Sequence, residues 1–218
     1  MKPVLTIDEL IKSAREFCEI EEKKNHVELL GVTDGKAVGT YVEHRFQQFL
    51  QSKYIVDVGN SAEGIDLPGE GIKTDIKVTS ISKPQSSCPF RNARQKIFGM
   101  GYNLLVFVYE KHDSENVCTL HFTHCTFIDK ERTADFTTTK RLREMVADDA
   151  NDDDIISFLQ DKNVPGDELV YQDLANEILA HPPKQGYLTI SNALQWRLKY
   201  TRAITLDNKI QGVINYEW

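Results

Sequence analysis

Residues 104–109 read Leu-Leu-Val-Phe-Val-Tyr, an apolar run with no polar interruption. A half-exposed strand alternates apolar and polar side chains, so an unbroken run of this length fits a central strand covered on both faces. The segments around it supply sheet neighbours and helical cover. Thr6 and Glu9 have capping-box spacing, and Ile7, Leu10, Ile11, Ala14, Phe17 and Cys18 recur at helical spacing. Asp34-Gly35 and Gly39 read as breaks, after which a second helix is expected over 40–52 with Val42, Phe46, Phe49 and Leu50 as its buried stripe. Strands are expected at 54–58, 65–67, 72–79 and 117–127. Beyond residue 130 the pattern turns helical, at 139–147, 153–162, 168–180 and 189–200, with a short strand at 212–216. The fold class expected is α/β: a mixed central β-sheet flanked by helices over residues 1–130, with a mainly helical C-terminal part over 131–218.

A chain of 218 residues can bury a sizeable core, and 40% hydrophobic with 27% charged residues is ordinary for a soluble protein. No apolar run approaches the ~18 residues of a membrane helix, and the first residues lack a secretory apolar segment. Cys18, Cys88, Cys118 and Cys125 are widely spaced with no C-x-x-C pair, which fits reduced thiols and a cytoplasmic setting. Cys118, His121, His124 and Cys125 lack zinc-finger spacing, and alternation along a strand scatters them over both faces. The net charge is −7, yet residues 73–96 carry six basic residues and one acid. The acidic run 148–154 fits a solvated loop leading into a helix cap; it lacks the central glycine of a calcium loop.

The chemistry concentrates in residues 64–80. Period two places Lys73, Asp75, Lys77 and Thr79 on one strand face and Ile72, Ile76 and Val78 on the other. Ile65 and Leu67 leave Asp66 on the polar face, and Pro68-Gly69-Glu70-Gly71 is turn chemistry. Closing that turn as a hairpin sets Asp66 opposite Asp75, with Cβ atoms ~4.5–5.5 Å apart. Facing carboxylates repel, and a Mg²⁺ ion relieves that by taking oxygen ligands from one or two carboxylates and from phosphate. Lys77 beside them supplies the charge that positions an attacking water and neutralises the transition state. Glu43, at the border of the second helix's apolar stripe, is placed to act as a further metal ligand. A polar strand face with a cross-strand ion pair is the simpler alternative for such residues.

Glu43 on a helix, Asp66, and then Asp75-Ile76-Lys77 resemble the active-site signature of the PD-(D/E)XK nuclease superfamily. Residues 59–109 resemble the type II restriction endonucleases within it. The family's Pro before the first Asp is absent: Ile65 stands there, and Pro68 comes two residues after Asp66. The resemblance implies a restriction-endonuclease-like core with Glu43, Asp66, Asp75 and Lys77 as catalytic residues, the three acids binding Mg²⁺. It also implies hydrolysis of a short specific site in double-stranded DNA leaving 5′-phosphates, action as a homodimer, and a cognate DNA methyltransferase in the same system. A structure-specific repair nuclease or resolvase of the same superfamily is the alternative enzyme. A non-catalytic, winged-helix-like DNA-binding protein is the alternative outside catalysis.

The segment after the lysine is rich in DNA-contacting side chains: Lys83, Gln85, Ser86, Ser87, Arg91, Asn92, Arg94, Gln95 and Lys96. Arg, Asn and Gln read guanine and adenine edges, while Lys and Ser meet phosphates. The helix expected over 189–200 adds Arg197 and Lys199, followed by Arg202, as a second candidate reader.

Overall fold

A computed structural model describes residues 2–59, 64–87, 92–191, 197–207 and 210–218. In chain order its elements are α1 (Ile7–Glu21), α2 (Gly35–Lys53), β1 (Thr74–Ser80), β2 (Gln85–Ser87), α3 (Arg94–Phe98), β3 (Asn103–Asp113), β4 (Cys118–Ile128), α4 (Phe136–Ala147), α5 (Asp152–Asp161), α6 (Glu168–Ala180), β5 (Thr189–Ile190), β6 (Arg197–Lys199), α7 (Thr201–Ile204) and β7 (Val213–Glu217). They form two compact units. The first holds Met1–Pro84, Tyr102–Ile128 and Ile204–Trp218; the second holds Gln85–Gly101 and Asp129–Ala203. The fold is α/β, with a mixed sheet flanked by helices.

The first unit is built on a four-stranded sheet in the order β1-β3-β4-β7. β1 and β3 are parallel and the other pairs antiparallel. The apolar run lies in interior strand β3, where Leu104 to Val108 are fully buried, so both faces are covered. Phe17 of α1 and Phe46 of α2 meet Phe107 of β3 at ring-centroid distances of 5.8 and 5.0 Å. Helix α1 starts where expected, with the Thr6 hydroxyl accepting from the Glu9 amide. The reverse arm of the expected capping box gives way to a tertiary bond, the Tyr54 hydroxyl donating to the Glu9 carboxylate at 2.7 Å.

Three local expectations are corrected in this unit. Helix α2 begins at Gly35, so Gly35 and Gly39 lie inside the helix. Asp34 caps it by accepting from the Lys36 amide at 3.0 Å. The strand expected at 54–58 is a single parallel bridge between Val4 and Ile55. The strand expected at 65–67 is likewise one antiparallel bridge, Leu67 to Thr74. Past that bridge the ladder stops because the Asp66 carboxylate, not a backbone carbonyl, takes the Ile76 amide, at 2.6 Å.

The second unit combines helices with a three-stranded antiparallel sheet ordered β2-β6-β5. Its core includes Ile97, Leu142, Ile155, Leu159, Ala175 and Ile178. Helices α4, α5 and α6 occupy the expected segments, capped by Asp135, Asn151 and Asp167. The end of the acidic run forms the first turn of α5, where Asn151 and Asp154 make a capping box. The helix expected over 189–200 is not formed: its described residues are strands β5 and β6, which removes the winged-helix reader. No described helix is long and apolar enough to cross a membrane.

Candidate active site

Strand β1 carries two of the four expected catalytic residues, and its neighbours carry the others. Parallel pairing with β3 sets Asp75 beside Leu104 and Lys77 beside Val106. The Leu67–Thr74 bridge puts the next pair along, Asp66 and Asp75, opposite each other, the register expected from the turn. Glu43 comes from α2, which packs against β1: a Cβ at Gly39 would stand 3.7 Å from the Val78 carbonyl oxygen, ordinary contact.

The Asp75 side chain is 7% exposed, and its Oδ2 lies 2.7 Å from Lys77 Nζ. Burial pushes the Asp75 carboxyl up to about 7; the Lys77 charge opposes this, while a hydrogen bond and charge from Asp66 add to it. Glu43 is also raised to about 7, first by burial and then by the charge and hydrogen bond of Asp66, against the pull of Lys77. Asp66 thus bears on both other acids, and Lys77 on both of them from the opposite sign. Gln47, one helical turn beyond Glu43, donates to Glu43 Oε1 at 3.4 Å. Sequence reasoning missed Gln47, although its i+4 spacing from Glu43 was available as a signal.

Asp66 set against both Glu43 and Asp75, with Lys77 beside those two, makes an all-oxygen donor set whose chemistry suits a hard divalent cation. As placed, no described group of three acids, histidines or cysteines forms a closed ligand set. One oxygen of Asp66 is held by the Ile76 amide and one of Asp75 by Lys77.

The expected DNA-contacting residues divide by their surroundings. Arg91 lies outside the described residues. Arg94 pairs with Glu177, Nη2 to Oε1 at 2.6 Å. Lys96 is a correction: it is 4% exposed and donates to the Ile190 carbonyl at 3.1 Å, so it is not a surface cation. Asn92 accepts from the Gln95 amide, Gln95 donates to the Met100 carbonyl, and the Arg202 guanidinium stacks 3.8 Å from the centre of the Phe136 ring. Ser86 Oγ meets the Tyr200 hydroxyl at 2.5 Å. Lys83, Ser87, Arg197 and Lys199 are exposed and Gln85 half-buried.

Comparison with known proteins gives this geometry a setting. The family model for type II restriction enzyme NspV matches residues 4–215. The type II restriction enzyme NspV of a Nostoc species is 50% identical over 213 residues, covering 97% of this chain and 96% of that protein. No solved structure matches the chain.

Proposed function

Because this chain belongs to the NspV family of type II restriction enzymes, we propose that Glu43, Asp66, Asp75 and Lys77 are its catalytic residues for cutting double-stranded DNA at a specific site. The observation that carries this reading is the coupling of Asp66 to both Glu43 and Asp75 while Lys77 bears on the same two acids, in contact with Asp75 at 2.7 Å. Glu43, Asp66 and Asp75 would hold Mg²⁺, which when bound supplies Lewis-acid polarisation of the phosphate. This is the chemistry of the PD-(D/E)XK signature that the residues resemble.

The chain's own residues supply the rest. Asp75 fixes the Lys77 ammonium at the phosphate side of β1, where it orients the attacking water and offsets developing negative charge. Water oxygen bonds to phosphorus as the bond to the 3′-oxygen breaks, leaving a 5′-phosphate and a 3′-hydroxyl. Gln47 restrains Glu43. The enzyme acts as a homodimer in the cytoplasm, and a cognate methyltransferase protects the same site.

The test is a plasmid digest with and without Mg²⁺, run beside Asp75→Asn. Discrete Mg²⁺-dependent fragments from the wild type are expected. The variant should fold and bind DNA while cutting slower by about three orders of magnitude or more, since it loses both a metal ligand and the anchor of Lys77. Wild-type cutting rates from Asp75→Asn would overturn the assignment.

A further inference from the structure

Two segments about a hundred residues apart in the chain meet in the small sheet of the second unit, and their side chains sort cleanly. Ser86, Ile190 and Leu198 stand in one row across β2, β5 and β6. Ile190 and Leu198 are buried, and Ser86 is tied to Tyr200 beneath them. Alternation sends Gln85, Ser87, Thr189, Arg197 and Lys199 to the other face. Thr189, Lys199 and Gln85 are directly opposite one another across the three strands, as are Arg197 and Ser87. Two cations and no acid stand there, and among the described residues neither Arg197 nor Lys199 forms an ion pair. The sheet is also held along its β5 edge at one residue. Asp135, itself buried, accepts from the Ile190 amide at 2.8 Å, and buried Lys96 donates to the Ile190 carbonyl.

We propose that this outward face is the surface that reads base edges, with Arg197 and Gln85 carrying most of the discrimination; this rests on the DNA-cutting function proposed above. Gln85, Ser87, Arg197 and Lys199 lie on the adjacent pair β2 and β6, and a two-stranded ribbon is what the ~12 Å major groove admits. The side chains match what base edges offer, with Arg bidentate to guanine, Gln bidentate to adenine, and Ser and Thr able to meet either. A face without acids avoids phosphate repulsion, and positive charge complements the polyanion. Bidentate readout demands a rigid platform, which the Asp135 and Lys96 clamps on Ile190 supply. Asp135 and Lys96 are therefore positioning residues.

The wild-type digest, with the cut ends sequenced, defines the cognate site. Fluorescence anisotropy without Mg²⁺ then compares a cognate with a scrambled duplex, with thermal melts as the folding control. Arg197→Ala and Gln85→Ala should each weaken cognate binding about tenfold to a hundredfold and leave scrambled binding nearly unchanged. Arg197→Lys keeps the charge but not the fork, and should lose discrimination too. Equal losses on both duplexes would mark phosphate contacts and overturn the inference, as would full discrimination in the Arg197 and Gln85 variants. A wild type that leaves DNA intact overturns the proposed function and this inference with it. Lost discrimination in the variants of an active enzyme supports both.

Discussion

Asp66 accepts from the Ile76 amide at 2.6 Å while its charge bears on Glu43 and Asp75. The facing pair was legible in the sequence, because a Pro-Gly turn and a two-residue period leave little freedom in register. The depth of burial was not legible. Asp75 reads as a solvated polar-face residue, yet its neighbours on β3 are fully buried. Lys77 offers the sharpest test at this scale. Lys77→Ala should cut single-turnover cleavage by about 10²–10³-fold, the loss expected for one electrostatic stabiliser. It should barely change the melting temperature, because the Asp75 carboxyl, already raised to about 7, can take a proton in place of the missing cation. Lys77→Arg should fail as well, since a bulkier, always-protonated guanidinium does not reproduce the ammonium's geometry. Cleavage by Lys77→Ala within a few-fold of wild type would remove the lysine from the mechanism.

At the scale of elements, helices with a cap and an apolar stripe were read well: α4, α5 and α6 stand where the pattern put them. The glycines of α2 misled because Gly weakens a helix without forbidding it, and packing against β1 supplies what propensity lacks. Gly39→Ala follows from that. The added methyl would meet Val78 at 3.7–3.8 Å, which is contact without clash. We expect stability to rise by about 0.4–1 kcal/mol, through a less flexible unfolded chain, measured by urea denaturation. A loss of stability would mean that α2 lies closer to β1 than this. The 189–200 segment shows the opposite error. Leu194, Trp196, Leu198 and Tyr200 recur at period two, a strand signal that the helical reading of the segment passed over.

For the molecule as a whole, the packing of α1 against α2 adds a pH-dependent contribution to stability in acid. Glu21 is 4% exposed and binds Arg45 through two hydrogen bonds and Lys24 through one. Burial alone would raise its carboxyl, but the bonds from Arg45 and Lys24 outweigh it and hold the group below the ordinary value of 4.5. His26 beside it is held below 6.5, mainly by burial. Both groups therefore bind protons more readily in the unfolded chain, so stability rises with pH across their windows. His26 should therefore contribute a loss of stability as pH falls below about 6.5, and Glu21 a further loss below about 4.5, while the raised Asp75 and Glu43 carboxyls act in the opposite sense as pH falls through about 7. Glu21→Gln should cost about 1–3 kcal/mol at neutral pH and flatten the lower part of that decline, read from melts between about pH 3 and 8. An unchanged acid profile in Glu21→Gln would show that other carboxylates dominate.

Local information sufficed for what depends on local physics. The buried strand at 104–109, the caps of α1 and α5, and the facing of Asp66 and Asp75 follow from side-chain period, capping chemistry and a tight turn. Tertiary structure decided everything that needs distant segments to meet. It recruited Gln47 to Glu43, spent Arg94 and Lys96 on partners inside the second unit, and brought Gln85 and Ser87 into register with Arg197 and Lys199. A cation in a sequence carries no sign of its partner. Lys96 under Ile190 is structural because burial would otherwise leave its charge and that carbonyl unsatisfied, whereas Arg94 meets Glu177 in an exposed ion pair and Arg197 alternates outward from its sheet.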